Sequence, residues 1–300
     1  MTTVRSILLE DRGVIGIDGV DAREFLQGLV SNDVRKVTVD RAVHAALLSP
    51  QGKYLHDFFI VAVEGGLLVD CEAGRLDDLR RRLAVYKLRA KVVLADRSDA
   101  FAVAAVFGDG ALAALGLPAD TPGAAVPFAG GVAYVDPRLA AIGARLLLPR
   151  DGAAAGLAAT GFAAGDRAAY DTLRIGLGLA DGSRDMEVER AILLENGFDE
   201  LHGVDWDKGC YMGQELTART RYRGLVRKRL VPVAVDGPLP PPGTPVLLDG
   251  KETGEVRSGV DGAALALIRL EALERAAASG APLTAAGARL TPRKPDWAKF

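Results

Sequence analysis

The run Lys208-Gly209-Cys210-Tyr211-Met212-Gly213-Gln214-Glu215 sets a thiol between two glycines, just after a lysine and just before a Gln-Glu pair able to open a helix. Glycine admits positive φ and close backbone approach. A thiolate gains from a neighbouring ammonium and from a helix N-terminus. The spacing therefore predicts a reactive thiol or soft ligand at Cys210, with Lys208 and Gln214 tuning its surroundings. The competing reading is a small buried packing residue, the common fate of a free cysteine. Residues 219–229 follow, six of the eleven basic and none acidic. Charges of one sign at that density face water or an anion, and the guanidinium fork matches carboxylates and phosphates. Arg219, Arg223 and Arg227 are the expected anion receivers; a solvated basic surface or an RNA-binding strip are the alternatives.

Other polar groups are less concentrated. Asn32 and Asp33 have the chemistry to fix a polar ligand, or simply to end a helix in a turn. His44, His56 and His202 are too scattered for a zinc site, and His202, eight residues before Cys210, reads as a satisfied surface or core histidine. Cys71 and Cys210 lie far apart with no CxxC. That arrangement predicts free thiols in a reducing compartment, with the cytoplasm as the expected location.

Positioning these groups requires a sizeable core, and the composition supports one: 300 residues, 49% hydrophobic and 25% charged. The net charge of −2 makes the chain as a whole no partner for nucleic acid, and 6% aromatics is thin for base stacking. The N-terminal residues lack a signal-peptide pattern, and no apolar run reaches the roughly 18–20 residues of a membrane-spanning helix. A soluble protein with no membrane partner is expected. Residues 14–19, 43–49, 54–63, 67–71, 91–95 and 101–107 read as strands, and 76–85 and 167–179 as helices. Asp21 and Glu24 have capping-box spacing ahead of an apolar helical face at Phe25, Leu26, Leu29 and Val30. Residues 116–131, dense in Gly, Pro and Ala, read as a loop. Mixed order without strict βαβ repetition predicts an α+β fold. Past residue 225, short strand-like runs broken by turns predict a small β-barrel. The expected division is 1–224 for the α+β region and 225–300 for the barrel.

The Lys208–Glu215 run, with Arg223-Gly224 and Arg227-Lys228-Arg229 downstream, resembles the signature of the YgfZ family. These are folate-binding proteins related to the aminomethyltransferase (T-protein) of the glycine cleavage system. Asp21-Ala22-Arg23-Glu24-Phe25-Leu26-Gln27-Gly28, closing in Ser31-Asn32-Asp33, is similar to the family's N-terminal helix, and Pro50-Gln51-Gly52-Lys53 to its next landmark. The resemblance implies intertwined α+β lobes around a central channel that takes a tetrahydrofolate or related folate, with a C-terminal β-barrel. It also implies an accessory role in making or repairing iron–sulfur clusters, mainly [4Fe–4S]. Assembly proteins and client enzymes, radical-SAM tRNA-modifying enzymes among them, are the implied partners. On this reading Asn32, Asp33, Gly209, Tyr211, Gly213 and Glu215 line the folate site, and the arginines receive the folate's carboxylates.

Two departures separate the chain from the aminomethyltransferase itself. The transferase carries paired aspartates on a strand where this sequence has His56-Asp57, and a pterin-gripping glutamate where it has Gly176. A tetrahydrofolate-dependent transferase or demethylase using Asp57 is thus the alternative, and classical turnover is not expected. A [4Fe–4S] cluster takes about four cysteine ligands, so one well-placed thiol predicts no stably held metal. Cys210 would act as a transient ligand, an exchanging thiol or a redox site.

Overall fold

The computed structural model describes residues 3–224 and 226–300. Leu225, where the barrel region was expected to begin, lies outside the described residues, as do Met1 and Thr2 of the N-terminal reading. The chain forms two compact units. One comprises the chain up to Pro50 with Leu55–Arg167 and Leu201–Met212; the other comprises Gln51–Tyr54, Ala168–Glu200 and Gly213–Phe300.

The first unit holds two sheets. A five-stranded sheet runs in the order β3 (Val43–Leu48), β4 (Tyr54–Val63), β5 (Gly66–Glu72), β2 (Arg12–Asp18), β6 (Val93–Asp96). β3 and most of β4 are buried on both faces, which their near-continuous apolar runs anticipate. Glu64-Gly65 turns β4 into β5 in a two-residue hairpin, with Gly65 at φ +79°. Helix α1 (Ala22–Gln27) follows β2, and α2 (Leu76–Val85) follows β5, burying Leu76, Leu79 and Leu83 at helical spacing. The capping box does not form. Asp21 turns its carboxylate away to accept the Lys91 amide at 2.7 Å, and Glu24 pairs with Arg35, so two tertiary contacts outcompete the local cap.

The second sheet orders β11 (Ala163–Ala164), β1 (Arg5–Leu8), β7 (Phe101–Phe107), β10 (Ala144–Pro149), β9 (Gly131–Val135) and β8 (Ala125–Phe128), with the short helices α3 (Ala111–Ala114) and α4 (Ala153–Ala158). The expected loop at 116–131 therefore contains a strand. Val126 and Phe128 of β8 pack on the sheet's apolar core, and pairing with β9 overrides the turn-rich composition.

In the second unit, β12 (Lys228–Asp236), β13 (Pro245–Leu248), β14 (Lys251–Val260), β15 (Ala263–Arg269), β16 (Leu283–Ala285) and β17 (Ala288–Pro292) close a barrel, with α7 (Leu270–Ser279) after β15. Alternate residues such as Val231, Val233, Val246, Val256 and Ile268 fill its interior. Each buried aliphatic side chain contributes about 1.5–3 kcal/mol. Helices α5 (Arg167–Gly176) and α6 (Gln214–Tyr222) belong to this unit apart from the first residue of α5. Arg174 of α5, 1% exposed, spends its guanidinium on Asp171, Asp185, the Leu179 carbonyl and the Ser258 hydroxyl. One buried arginine thereby ties the helix, the following loop and β14 together.

Candidate functional site

Cys210 sits exposed on a loop that is stitched to the C-terminal end of α1. Lys208 is buried and donates from Nζ to the Gln27 and Val30 carbonyls, each at 2.6 Å. The Gln27 amide returns a hydrogen bond to the Lys208 carbonyl at 3.3 Å, and the Met212 amide donates to the Gly28 carbonyl at 3.1 Å. Tyr211 is buried with its ring 4.9 Å from Nζ. An ammonium at a helix C-terminus satisfies carbonyls that the helix leaves open and meets the negative end of its dipole. Burial brings the Lys208 ammonium down to about 8, against the raising influence of Asp33 and Asp205. It remains protonated at neutral pH and anchors the loop. Gly209 at φ +91° lifts the backbone so that Cys210 crowns it.

The turn after α1 is locked by side-chain bonds. Gln27 donates to Asp33 and accepts the Val34 amide; Asp33 also accepts the Arg35 amide. Asn32, buried, donates to the His44 and His202 carbonyls at 2.7 Å each and accepts the Asp33 amide. Ser31 donates to the Gly203 carbonyl at 2.6 Å. His202 is exposed at φ +56°, its carbonyl turned onto Asn32. These bonds hold residues 202–208 beside residues 27–34, so Asn32 and Gln27 act as fasteners of the thiol loop. Gln27 stood in the N-terminal motif but carried no assigned role; its burial inside an otherwise polar turn was invisible without the fold.

The division between the units falls between Met212 and Gly213, at the start of α6. Gly213 takes φ +79° as N-cap, followed by Gln214 and the exposed Glu215. Gly52 explains its own landmark. At φ +76°, a Cβ there would meet Leu216 Cβ at 2.6 Å and the Gly213 carbonyl at 2.7 Å. On α6, Thr217 and Thr220 are buried, while Arg219, Arg221 and Tyr222 face out, followed by exposed Arg223 and Arg227. Arg229 is different: it is buried against Glu200 at 2.6 Å and the Leu194 carbonyl, and is structural.

Asp57 is 5% exposed within the first unit and accepts from His44 Nε2 at 3.0 Å. Burial outweighs the pull of Asp57 and holds the His44 imidazole below its ordinary value, which favours its neutral form. Around them runs a buried ionic layer. Asp70 binds Arg12 at 2.6 Å and Arg145 at 2.5 Å, Asp136 grips Arg138, and Phe59 lies 4.0 Å from the Arg145 guanidinium carbon. The three guanidiniums of Arg12, Arg145 and Arg138 are met by the carboxylates of Asp70 and Asp136, which matches the requirement that buried charge be paired. His56 points instead to Asp78 at 2.9 Å.

Comparison with known proteins decides the family. The chain is 33% identical over 287 residues to the mitochondrial iron–sulfur cluster assembly factor IBA57 of Mus musculus, covering 89% of this chain and 78% of that one. The human protein is 32% identical with the same coverage. The mitochondrial homologue from Mycosarcoma maydis is 34% identical over 313 residues, covering 88% of this chain and 73% of its own. The chain belongs to the IBA57 family of iron–sulfur cluster assembly factors. Residues 227–300 match the C-terminal β-barrel domain of CAF17. The aminomethyltransferase T of the glycine cleavage system from Bartonella henselae superposes with a TM-score of 0.74 at 16% identity, covering 99% of this chain and 86% of that chain.

The α+β aminomethyltransferase fold with its terminal barrel is therefore the fold of this IBA57-family chain. The relatives carry the IBA57 name where the motif resembled YgfZ, a related family. One expectation is overturned. Two free cysteines limit the redox state of the compartment but do not choose between reducing compartments, and the names of the relatives point to the mitochondrion rather than the cytoplasm.

Proposed function

We propose that this chain is an accessory factor for assembling or repairing iron–sulfur clusters, mainly [4Fe–4S], and that Cys210 is its working thiol. The supporting observation is the built loop. Lys208, Gln27, Asn32 and Ser31 are spent on holding residues 202–212, and the side chain they leave exposed at the crest is a cysteine. Cys71, by contrast, is buried, and burial pushes its thiol up to about 12, which makes it inert. An exposed thiol is accessible to ligate iron of a cluster in transit. One cysteine cannot complete a cluster's ligand set, so the remaining ligands come from assembly proteins or client enzymes. The cluster is cargo.

Tetrahydrofolate, or a related folate, is the proposed small ligand. Exposed Arg219, Arg223 and Arg227 fit the carboxylates of its glutamate tail. Asn32 does not fit the pterin role, because both of its amide hydrogens are spent on backbone carbonyls. Gly176, which stands where the transferase has a glutamate, offers its carbonyl to Arg293 instead. When bound, folate would supply a pterin able to carry one-carbon or redox chemistry. The test is complementation: in cells lacking the protein, wild type is expected to restore [4Fe–4S] enzyme activity and Cys210→Ala to fail. Equal rescue would remove Cys210 from the mechanism.

A further inference from the structure

Large apolar side chains at the surface concentrate at one end of the five-stranded sheet. Val20 (85% exposed), Val85 (67%), Tyr86 (40%), Leu88 (89%) and Val93 (58%) stand there. The fold brings them together: β6 pairs Val93 with Asp18, two residues from Val20, and Lys91 closes on the Gly19 turn through the Asp21 carboxylate. Gly19 lies so close to Lys91 that an added Cβ would meet its carbonyl at 2.1 Å. Leu88 is held out in the left-handed region at φ +42°, a conformation unfavourable for a leucine. β6 is an edge strand, open on one side. A cavity of about 280 Å³ lined by Gly19, Val20, Arg23, Val63, Gly65 and Leu67 indents the same end. Clustered exposed apolar groups of this kind mark an interaction surface.

The rim shows what covers it. Lys87, Arg89 and Lys91 alternate with the apolar residues, and among the described residues no carboxylate pairs with them. The nearby acids are largely committed: Asp18 to Arg97, Glu24 to Arg35 and Asp21 to the Lys91 amide, leaving Glu64 exposed. The complement is apolar at its centre and acidic at its edge. Its location selects among acidic partners. α1 starts two residues after Val20, spans six residues or about 9 Å, and ends at the carbonyls that anchor Lys208 of the thiol loop. We propose that Val20 and residues 85–93 form the docking surface for an acidic iron–sulfur protein, seating it beside the Cys210 loop. The partner's class rests on the function proposed above.

The test uses the full chain expressed in deletion cells at limiting level. Three proteins are compared with wild type: Val20→Asp with Leu88→Asp, the reversal Lys87→Glu with Arg89→Glu and Lys91→Glu, and the conservative set Lys87→Arg, Arg89→Lys and Lys91→Arg. All five positions are on the surface, and unchanged melting and unchanged Cys210 alkylation confirm intact folds. Removing central anchors or reversing rim charges is expected to lower [4Fe–4S] enzyme activity by about tenfold or more, while the conservative set keeps it. Full rescue by the first two variants would overturn the surface while leaving the assembly function intact. Failure of wild type to rescue would instead overturn the function and, with it, the partner class. If wild type sediments with phosphatidylcholine–phosphatidylserine vesicles and the Asp variant does not, the surface belongs to a membrane and the protein-docking inference falls.

Discussion

At the scale of single residues, the two cysteines form a natural pair of control and test. Cys210 is exposed on an anchored loop, whereas Cys71 lies inside β5 with its thiol pushed up to about 12. Iodoacetamide at neutral pH is expected to label the native protein once, at Cys210, with Cys71 reacting only after denaturation; mass spectrometry of the native adduct checks this, and native labelling of Cys71 would contradict the burial described. The glycine-flanked loop that leaves Cys210 exposed was legible from sequence because glycine–cysteine–glycine spacing is a local signal. The role of Lys208 was not. Sequence proximity placed it as a tuner of the thiol, but its ammonium is consumed by the Gln27 and Val30 carbonyls some 180 positions away in the chain. Asn32 was misleading for the same reason, since its partners, the His44 and His202 backbones, are set only by tertiary structure.

At the scale of elements, the loop at 202–212 depends on α1. Lys208→Met keeps the side chain's length but strands two buried carbonyls, which costs about 1–3 kcal/mol. The urea midpoint should fall accordingly, and a midpoint equal to wild type would show that water or backbone adjustment replaces the ammonium. Strand periodicity made β2, β4, β5, β7 and α2 legible within a residue or two, because each carries its own apolar pattern. β8 was hidden in a Gly- and Pro-rich stretch because its strand character comes from pairing with β9. The capping box at Asp21 failed by the reverse logic: the local motif was present, but Lys91 and Arg35 claimed its two carboxylates.

At the scale of the whole molecule, a net charge of −2 conceals local basic surfaces at 85–91 and 219–227 and a buried ionic layer in the first unit. Burial also sets the acid response. It brings the His56 imidazole down from 6.5 to about 4, with Arg75 adding to the shift and Asp78 opposing it. Between those values the unfolded chain binds a proton that folded His56 refuses. Stability is therefore intact above about pH 6.5 and is lost as pH falls toward 4, by about 3 kcal/mol from this residue. His56→Gln retains a donor to Asp78 without titrating and should flatten that part of the stability profile, as read from urea midpoints against pH. The fold class was readable because barrel punctuation and a specific motif both survive in the sequence; the compartment was not, because cysteine usage reports only redox state.

The central claim is that this chain serves [4Fe–4S] maturation, and depletion tests it most directly. After the protein is depleted, a [4Fe–4S] dehydratase and a [2Fe–2S] ferredoxin are assayed in the same cells. The expected result is a several-fold fall in dehydratase activity at constant polypeptide level, with ferredoxin cluster content unchanged. Full dehydratase activity after depletion would contradict the claim.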